Sequence, residues 1–268
     1  MKRSILFIIV TLMAFCAVAQ DLYIGSFYVT TESEEKLYGD GNDKWATRKG
    51  TICEMFRYEM PDVLGLQSAS SSQLSAIRTG MNSGLTNIAS YKLAGDILYN
   101  SKTVELDTCS VVEDMPEGST CSWAKFQKEG KTFYVLNMCL ADSVALSSMI
   151  RIRTAADVIN KENVAVFLVG YLGVNETKTA YTRMTGKFND CYKKAPIVSA
   201  EYGTVNNFDL ENNHGSNRYD FVTANKKVTT VKAYGQLQYG YFTKESDGSN
   251  KRRLPSTHFP VMAKVKLP

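Results

Sequence analysis

The chain has 268 residues, 44% hydrophobic and 22% charged, a balance that excludes a disordered or low-complexity protein. Its 31 basic and 27 acidic residues give a net charge of +4, too small to predict a nucleic-acid partner. The only two histidines, His214 and His258, exclude a three-histidine zinc site and leave carboxylates as the ligands for any metal.

The first residues have the pattern of a secretory signal peptide. A basic start at Lys2 and Arg3 precedes an apolar run over 5–18, and Ala17 and Ala19 form a small-residue cleavage pattern. The run is shorter than the ~20 apolar residues that span a bilayer, and no later run is long enough. We predict a signal peptide over 1–19 and an exported chain, periplasmic or secreted, with no transmembrane segment. Cleavage removes two basic residues and no acid, which leaves a net charge of +2.

The rest of the chain, residues 20–268, is predicted to form a single domain, because strand and helix signals alternate without a linker or repeat. Strands are predicted at 22–29, 63–66, 97–99, 104–106, 121–126, 132–137, 164–169, 218–223, 229–234 and 260–267. Helices are predicted at 45–60, 72–81, 144–159 and 177–187. Polar loops are predicted at 200–217 and 243–256.

Five cysteines remain after cleavage, and an odd number cannot all pair within one chain. They are Cys53, Cys109, Cys121, Cys139 and Cys191. Cys109 and Cys121 flank a turn-rich stretch and are the best candidates for a disulfide. The alternative, that all five are buried free thiols, stays open because a domain of this size does not need disulfides.

Six segments at the predicted strands resemble the endonuclease/exonuclease/phosphatase family in order and spacing. They are IGSFYV at 24–29, DVLGLQ at 62–67, TFYVLN at 132–137, VFLVG at 166–170, RYDFV at 218–222 and LPSTHFPV at 254–261. The resemblance implies a DNase I-like fold: an α/β four-layer sandwich of two mixed sheets packed face to face, with helices outside. It also implies Mg²⁺-dependent hydrolysis of phosphate esters, assisted by an Asp–His pair.

Four of the positions that the resemblance assigns to catalysis keep the family residue. These are Gln67, Asn137, Asp220 and His258. The resemblance makes His258 and Asp220 the candidate catalytic residues, although they are not expected to suffice without the metal ligands.

Three positions at or just after predicted strands differ from the family pattern. Tyr28 stands where the family has an asparagine that orients the metal, and Ser68 replaces the glutamate that is its main Mg²⁺ ligand. Cys139 replaces the histidine that contacts the scissile phosphate. A serine hydroxyl carries no charge to hold a hard cation such as Mg²⁺. Cys139 could form a nucleophilic pair with His258, or it could be an inert buried thiol.

Three later positions also differ. Tyr171 replaces the aspartate that handles the attacking water, and Gly173 replaces an asparagine that binds phosphate. Thr257 replaces the aspartate that orients His258. A neutral tyrosine, with a pKa of ~10, is no base near neutral pH. A histidine without an acidic partner loses the group that fixes its tautomer.

These replacements predict a pseudoenzyme with no metal site and no cofactor, which acts by binding a small molecule or a protein in the former catalytic cleft. The signal-peptide pattern predicts that this pseudoenzyme is exported. Nucleic acid is not expected there, because the predicted mature charge is low. The alternative is an exported metal-dependent phosphoesterase with relocated ligands, for which the nearby acids are candidates: Asp96, Asp142, Glu176 and Glu201. Tyr28 and Tyr171 either line a pocket for an apolar or carbohydrate-like ligand or fill the space.

Overall fold

The computed structural model describes residues 21–84, 88–209 and 215–268. The predicted signal peptide therefore lies outside the described residues. The strands are β1 (Asp21–Tyr28), β2 (Val63–Gln67), β3 (Tyr91–Ala94), β4 (Ile97–Asn100), β5 (Glu105–Val111), β6 (Thr120–Lys128), β7 (Lys131–Cys139), β8 (Ala165–Tyr171), β9 (Phe188–Asp190), β10 (Val198–Ser199), β11 (Asp220–Asn225), β12 (Thr230–Gln236), β13 (Tyr241–Lys244), β14 (Asn250–Arg253) and β15 (Val261–Lys266). The helices are α1 (Glu32–Tyr38), α2 (Trp45–Glu59), α3 (Ser71–Met81), α4 (Ala145–Ile159), α5 (Thr179–Thr185) and α6 (Cys191–Lys194).

Two large mixed sheets form the centre of the molecule. The first has seven strands in the order β10-β12-β15-β1-β2-β4-β3, and the second has six in the order β5-β6-β7-β8-β11-β9. Each sheet has a central parallel pair, β1 with β2 or β7 with β8, between antiparallel neighbours, and the short strand β10 also pairs parallel with β12 at the edge of the first sheet. The crossovers of these two pairs run through α2 and α4, as parallel neighbours require.

Three buried clusters hold the layers together. The central one contains alternate residues of both sheets, such as Ile24 and Phe167, and lies between the sheets. A second joins α2 and α3 to the outer face of the first sheet, and a third joins α4 and α5 to the outer face of the second. The order helix, sheet, sheet, helix confirms the predicted four-layer α/β sandwich. Among the described helices, none is long and apolar enough to cross a bilayer.

The disulfide prediction between Cys109 and Cys121 is wrong, and the strand register explains why. Cys109 lies opposite Ala124, and Cys121 lies opposite Met138 on the other side of β6. Three residues of extended strand separate Ala124 from Cys121, or about 10 Å, beyond the reach of a disulfide. All five described cysteines are free, and Cys109 is exposed, so the prediction that all are buried is also wrong.

The loop predicted at 243–256 is in part a hairpin of β13 and β14. Its sequence is polar because its strands do not enter the large sheets. The buried guanidinium of Arg253 instead secures it to Asp40, Asp43 and Glu245, with N–O distances of 2.8–3.1 Å. The sequence pattern also did not predict α1, which proves important below.

Candidate functional site

The candidate site lies where one edge of both sheets meets. The parallel strands β1, β2, β7 and β8 end there, and the antiparallel strand β11 begins there with Asp220 opposite Tyr171. His258 lies three residues before the start of β15 and forms an isolated bridge with Val205. Strand direction therefore brings together residues from all six family-like segments.

One half of this edge, the histidine side, consists of Asp220, His258, Thr204 and Thr257. The Nδ1 atom of His258 lies 2.8 Å from the Oδ2 atom of Asp220, and both residues are buried. The prediction that His258 lacks an acidic partner, because Thr257 replaces an aspartate, is therefore wrong: Asp220 on β11 is its partner. The Thr204 hydroxyl accepts hydrogen bonds from the backbone N–H groups of Tyr219 and Asp220, which fixes the start of that strand.

Thr257 is buried and does not contact the histidine ring in any hydrogen bond among the described residues. Its hydroxyl lies 2.6 Å from that of Thr30, which follows the end of β1. Thr257 therefore ties the segment that carries His258 to the first strand, a structural contact in place of a catalytic one.

Tyr28 and Tyr171 pack directly against the histidine. The Tyr28 ring stacks on the imidazole of His258 with 4.1 Å between centroids and an angle of 14°. Tyr171 meets the same imidazole edge to face at 5.2 Å. Burial raises the pKa of both phenols, helped at Tyr28 by the hydrogen bond to Glu34 and at Tyr171 by the charge of Asp220. Both phenols are therefore neutral, and neither can act as a base at physiological pH.

The other half, the glutamate side, consists of Tyr28, Thr31, Glu34 and Ser68. The Glu34 carboxylate accepts hydrogen bonds from the Tyr28 hydroxyl, from the Ser68 hydroxyl at 2.6 Å, and from both the backbone N–H and the hydroxyl of Thr31 at 2.7 and 2.8 Å. Burial opposes its ionisation, but the bonds from Ser68, Tyr28 and Thr31 outweigh it and lower the pKa of Glu34. Four donors match the roughly four lone-pair positions of a carboxylate.

Sequence reasoning missed Glu34, although a signal was present. Thr31 and Glu34 have the spacing of a capping box, and this box starts α1 in the structure. The helix has seven residues and lacks the apolar periodicity that reveals longer helices. The acids proposed from sequence do not take this place: among the described residues, none of Asp96, Asp142, Glu176 and Glu201 lines the cleft at His258.

The retained residues Gln67 and Asn137 form a buried bridge between the sheets. Gln67 accepts from the Ser26 hydroxyl and donates to Asn137 Oδ1 at 2.6 Å, and Asn137 donates to the Leu66 carbonyl at 3.1 Å. A Cβ atom on Gly65 would lie 2.4 Å from Asn137 Oδ1, so only glycine leaves room for this bridge. Both side chains are at most 1% exposed, which favours a structural role for them.

Cys139 and Gly173 lie near the site, and neither is suited to a catalytic role. Burial, together with the negative charges of Glu34 and Asp220, raises the pKa of the Cys139 thiol to about 12. Such a thiol is not a nucleophile at neutral pH, which favours the inert alternative. Gly173 has a φ of +78°, and a Cβ atom there would lie 2.6 Å from the Leu140 carbonyl oxygen. It permits a close backbone approach after β8.

A cleft of about 520 Å³ remains open beside the histidine side. Tyr28, Tyr171, Thr257 and His258 line it, together with Glu34. The tyrosines therefore do not fill all of the space. Ser68 and Cys139 line a separate cavity of about 630 Å³ with Gln67 and Asp96, on the other side of Thr31 and Glu34.

The residues present do not fit the Mg²⁺ ion that the fold family implies. Among the described residues, no three His, Cys, Asp or Glu side chains are grouped to hold a metal. Glu34 directs its oxygens at protein donors, and Asp220 directs one oxygen at His258. The second oxygen of Asp220 is buried and has no hydrogen bond among the described residues. One free carboxylate oxygen is a poor donor set for a cation that prefers octahedral oxygen coordination.

Comparisons with known proteins support the fold. No protein-family model matches the sequence, and no curated protein does. An endonuclease/exonuclease/phosphatase family protein from Bacteroides thetaiotaomicron is similar in structure, with a TM-score of 0.81, 22% identity, and coverage of 93% of this chain and 99% of that one. A mannosyl-6-phosphatase from the same organism has a TM-score of 0.78, 22% identity, and coverage of 91% and 99%.

A more distant structure is that of the beta toxin from Staphylococcus aureus, which contains bound magnesium ions. Its TM-score is 0.65 at 13% identity, and the match covers 92% of this chain and all of that one. Identities this low establish the fold and not the activity. The chain therefore has the fold of the endonuclease/exonuclease/phosphatase family, as its six sequence segments predicted.

Proposed function

We propose that this protein is a member of the endonuclease/exonuclease/phosphatase family that has lost metal-dependent hydrolysis and acts as a binding module through the cleft at His258. The observation that carries the proposal is the Glu34 carboxylate. It is the acid nearest to position 68, where the family places its main metal ligand, and four hydrogen bonds from the protein already occupy it.

The position of Tyr28 supports the same conclusion. Its ring stacks on His258, so that the histidine is only 7% exposed. A general acid or base must come within hydrogen-bond reach of its substrate. The ring covers one face of the imidazole, and the phenol is held in place by Glu34.

The test is hydrolysis by the purified mature chain. Bis(p-nitrophenyl) phosphate and mannose 6-phosphate would be incubated with the protein in Mg²⁺, in Mn²⁺ and in EDTA, beside a His258→Ala variant. We expect product formation equal to that of the variant in every condition. Metal-dependent turnover that disappears in His258→Ala would overturn the proposal.

A second candidate, a phosphoesterase with relocated metal ligands, is favoured by one observation: the Asp220–His258 pair is intact beside a displaced carboxylate, Glu34. The two candidates differ in the role of Glu34. Metal-dependent hydrolysis that disappears in Glu34→Gln would identify Glu34 as a ligand. The signal-peptide pattern also supports export, which N-terminal sequencing of the mature protein would test against the predicted start at Gln20.

A further inference from the structure

We infer that the cleft at His258 binds an uncharged saccharide, an inference that rests on the proposed loss of hydrolysis and names the ligand class of the same site. Three independent features of the cleft support it: its charge, its aromatic faces and a buried amide donor that has no hydrogen bond to any described residue.

The charge of the cleft disfavours a phosphate ester. Among the described lining residues, Glu34 and Asp209 are acidic and none is lysine or arginine. Proteins hold phosphate groups chiefly with arginine, lysine and exposed backbone N–H groups. The hydrogen bonds that lower the pKa of Glu34 also keep its negative charge at the cleft wall. An anion would therefore meet repulsion, whereas an uncharged ligand would not.

The aromatic faces suit a ring with an apolar side. Tyr171 and Tyr219 line the cleft with their rings 6.4 Å apart and inclined by 24°. Tyr28 meets Tyr171 edge to face at 5.1 Å. The C–H groups on one face of a pyranose can pack on such rings, because aromatic faces are electron-rich. The Tyr171 and Tyr219 hydroxyls at the same wall can bond sugar hydroxyls, whereas the Tyr28 hydroxyl is already bonded to Glu34.

The amide of Asn206 provides a built donor for such a ligand. Asn206 lines the cleft and is fully buried, and its Nδ2 has no hydrogen bond among the described residues. The Oδ1 atom of Asn206 accepts a hydrogen bond from the Phe208 backbone N–H at 2.9 Å. The backbone N–H of Asn206 donates to the Thr257 carbonyl oxygen at 2.7 Å. These bonds assign the amide orientation and leave the NH₂ group for an outside acceptor. A buried donor without a partner is costly, and a sugar oxygen would satisfy it.

The test combines an array of uncharged glycans with calorimetry on glucose, galactose, mannose, N-acetylglucosamine and their 6-phosphates. We expect binding of at least one uncharged sugar and weaker or no binding of its 6-phosphate. Tyr219→Ala should weaken binding about tenfold or more, whereas Tyr219→Phe should retain most of it. Tyr58→Ala, which removes an exposed tyrosine outside the cleft, should leave it unchanged. Asn206→Asp, which replaces the amide donor by a carboxylate acceptor, should abolish glycan binding.

The outcomes separate the two proposals. Failure of every uncharged glycan to bind, or tighter binding of the 6-phosphates without hydrolysis, would overturn the saccharide inference and leave the proposed loss of hydrolysis standing. Metal-dependent release of phosphate from a 6-phosphate would overturn the proposed function itself. The Tyr219 variants keep the test decisive even if Asn206→Asp does not fold.

Discussion

On the histidine side of the cleft, a buried carboxylate holds the ring nitrogen of His258 at 2.8 Å, much as an Asp–His pair in an active enzyme would. On the glutamate side, the carboxylate is Glu34, which accepts hydrogen bonds from the hydroxyls of Tyr28, Thr31 and Ser68. Both sides lie on the same edge of the same two sheets. They differ in the structural elements that hold their side chains in place.

The histidine side is fixed by strand register. Asp220 lies opposite Tyr171 in the β8–β11 pair, and His258 is bridged to Val205, so the pair persists as long as the sheets form. The glutamate side depends on a short surface helix that carries Glu34. The Asp–His pair therefore follows from the strand register, and by itself the pair does not indicate catalysis.

The largest expected effect comes from Arg48, which supports both sides. Its buried guanidinium pairs with Glu35 at 3.0 Å and donates to the carbonyls of Val29, Thr30 and Pro255. Arg48→Met removes these bonds and leaves the buried Glu35 without its cationic partner, so we expect a loss of about 3–5 kcal/mol in the free energy of unfolding. Urea unfolding measures this loss. The control is Lys49→Met, at an exposed lysine, which should change the free energy of unfolding by no more than about 0.5 kcal/mol. A loss below about 1 kcal/mol would contradict the bridging role of Arg48.

Glu34→Gln should break the glutamate side alone. The variant keeps the shape but weakens four hydrogen bonds, so we expect a loss of about 1–3 kcal/mol near neutral pH. Because the folded state lowers the pKa of Glu34 below the ordinary value of 4.5, its stabilisation is present above that pH and disappears as the pH falls through the folded pKa. Unfolding measured across this range should show wild type and variant converging in acid.

The matched control for that prediction is Glu32→Gln, an exposed glutamate on the same helix. It should change stability little at any pH. A Glu34→Gln deficit that stays constant through the acidic range would show that the carboxylate charge does not hold the glutamate side together.

Cysteine labelling compares Cys139, near the candidate site, with Cys109 on the edge strand β5. With a pKa of about 12, Cys139 has little thiolate near neutral pH, whereas Cys109 is exposed. We expect iodoacetamide to label Cys109 at least about a hundredfold faster than Cys139, as measured by peptide mass spectrometry. Comparable rates, or rapid labelling of Cys139 in a Cys109→Ser variant, would restore Cys139 as a candidate nucleophile.

The smallest expected effect is that of Ser68→Ala, which removes one of the four donors to Glu34. We expect a loss of about 0.5–1.5 kcal/mol, measured by urea unfolding. In the Glu34→Gln background the same change should cost less, because the two side chains share one hydrogen bond. Strict additivity of the two losses would argue against that bond.

Local patterns predicted the central strands of both sheets but missed short strands such as β3 and β9, and the resemblance to the family identified most of the site. Tyr28, Gln67, Asn137 and Tyr171 end or nearly end apolar runs, and the strand directions bring them to one edge. The alternation of strands and helices predicted one α/β domain, and the resemblance to the family implied the four-layer sandwich.

What the sequence did not reveal depends on partners far apart in the chain. The threonine at position 257, next to His258, suggested that the histidine lacks an acidic partner. The fold supplies that partner as Asp220, which is 38 residues away in the chain. Glu34 meets Ser68 across 34 residues, from a helix too short for a periodic pattern. Cys109 and Cys121 flank a turn, but the register of β5 and β6 separates them.

The loss of the metal site is tested most directly by a crystal structure of the protein grown in Mn²⁺, examined for anomalous scattering in the cleft. We predict no manganese peak beside Glu34, Gln67 or Asp220, with Glu34 still bonded to Ser68 and Tyr28. A manganese ion coordinated by Glu34 or by the free oxygen of Asp220, with Tyr28 displaced from His258, would contradict it.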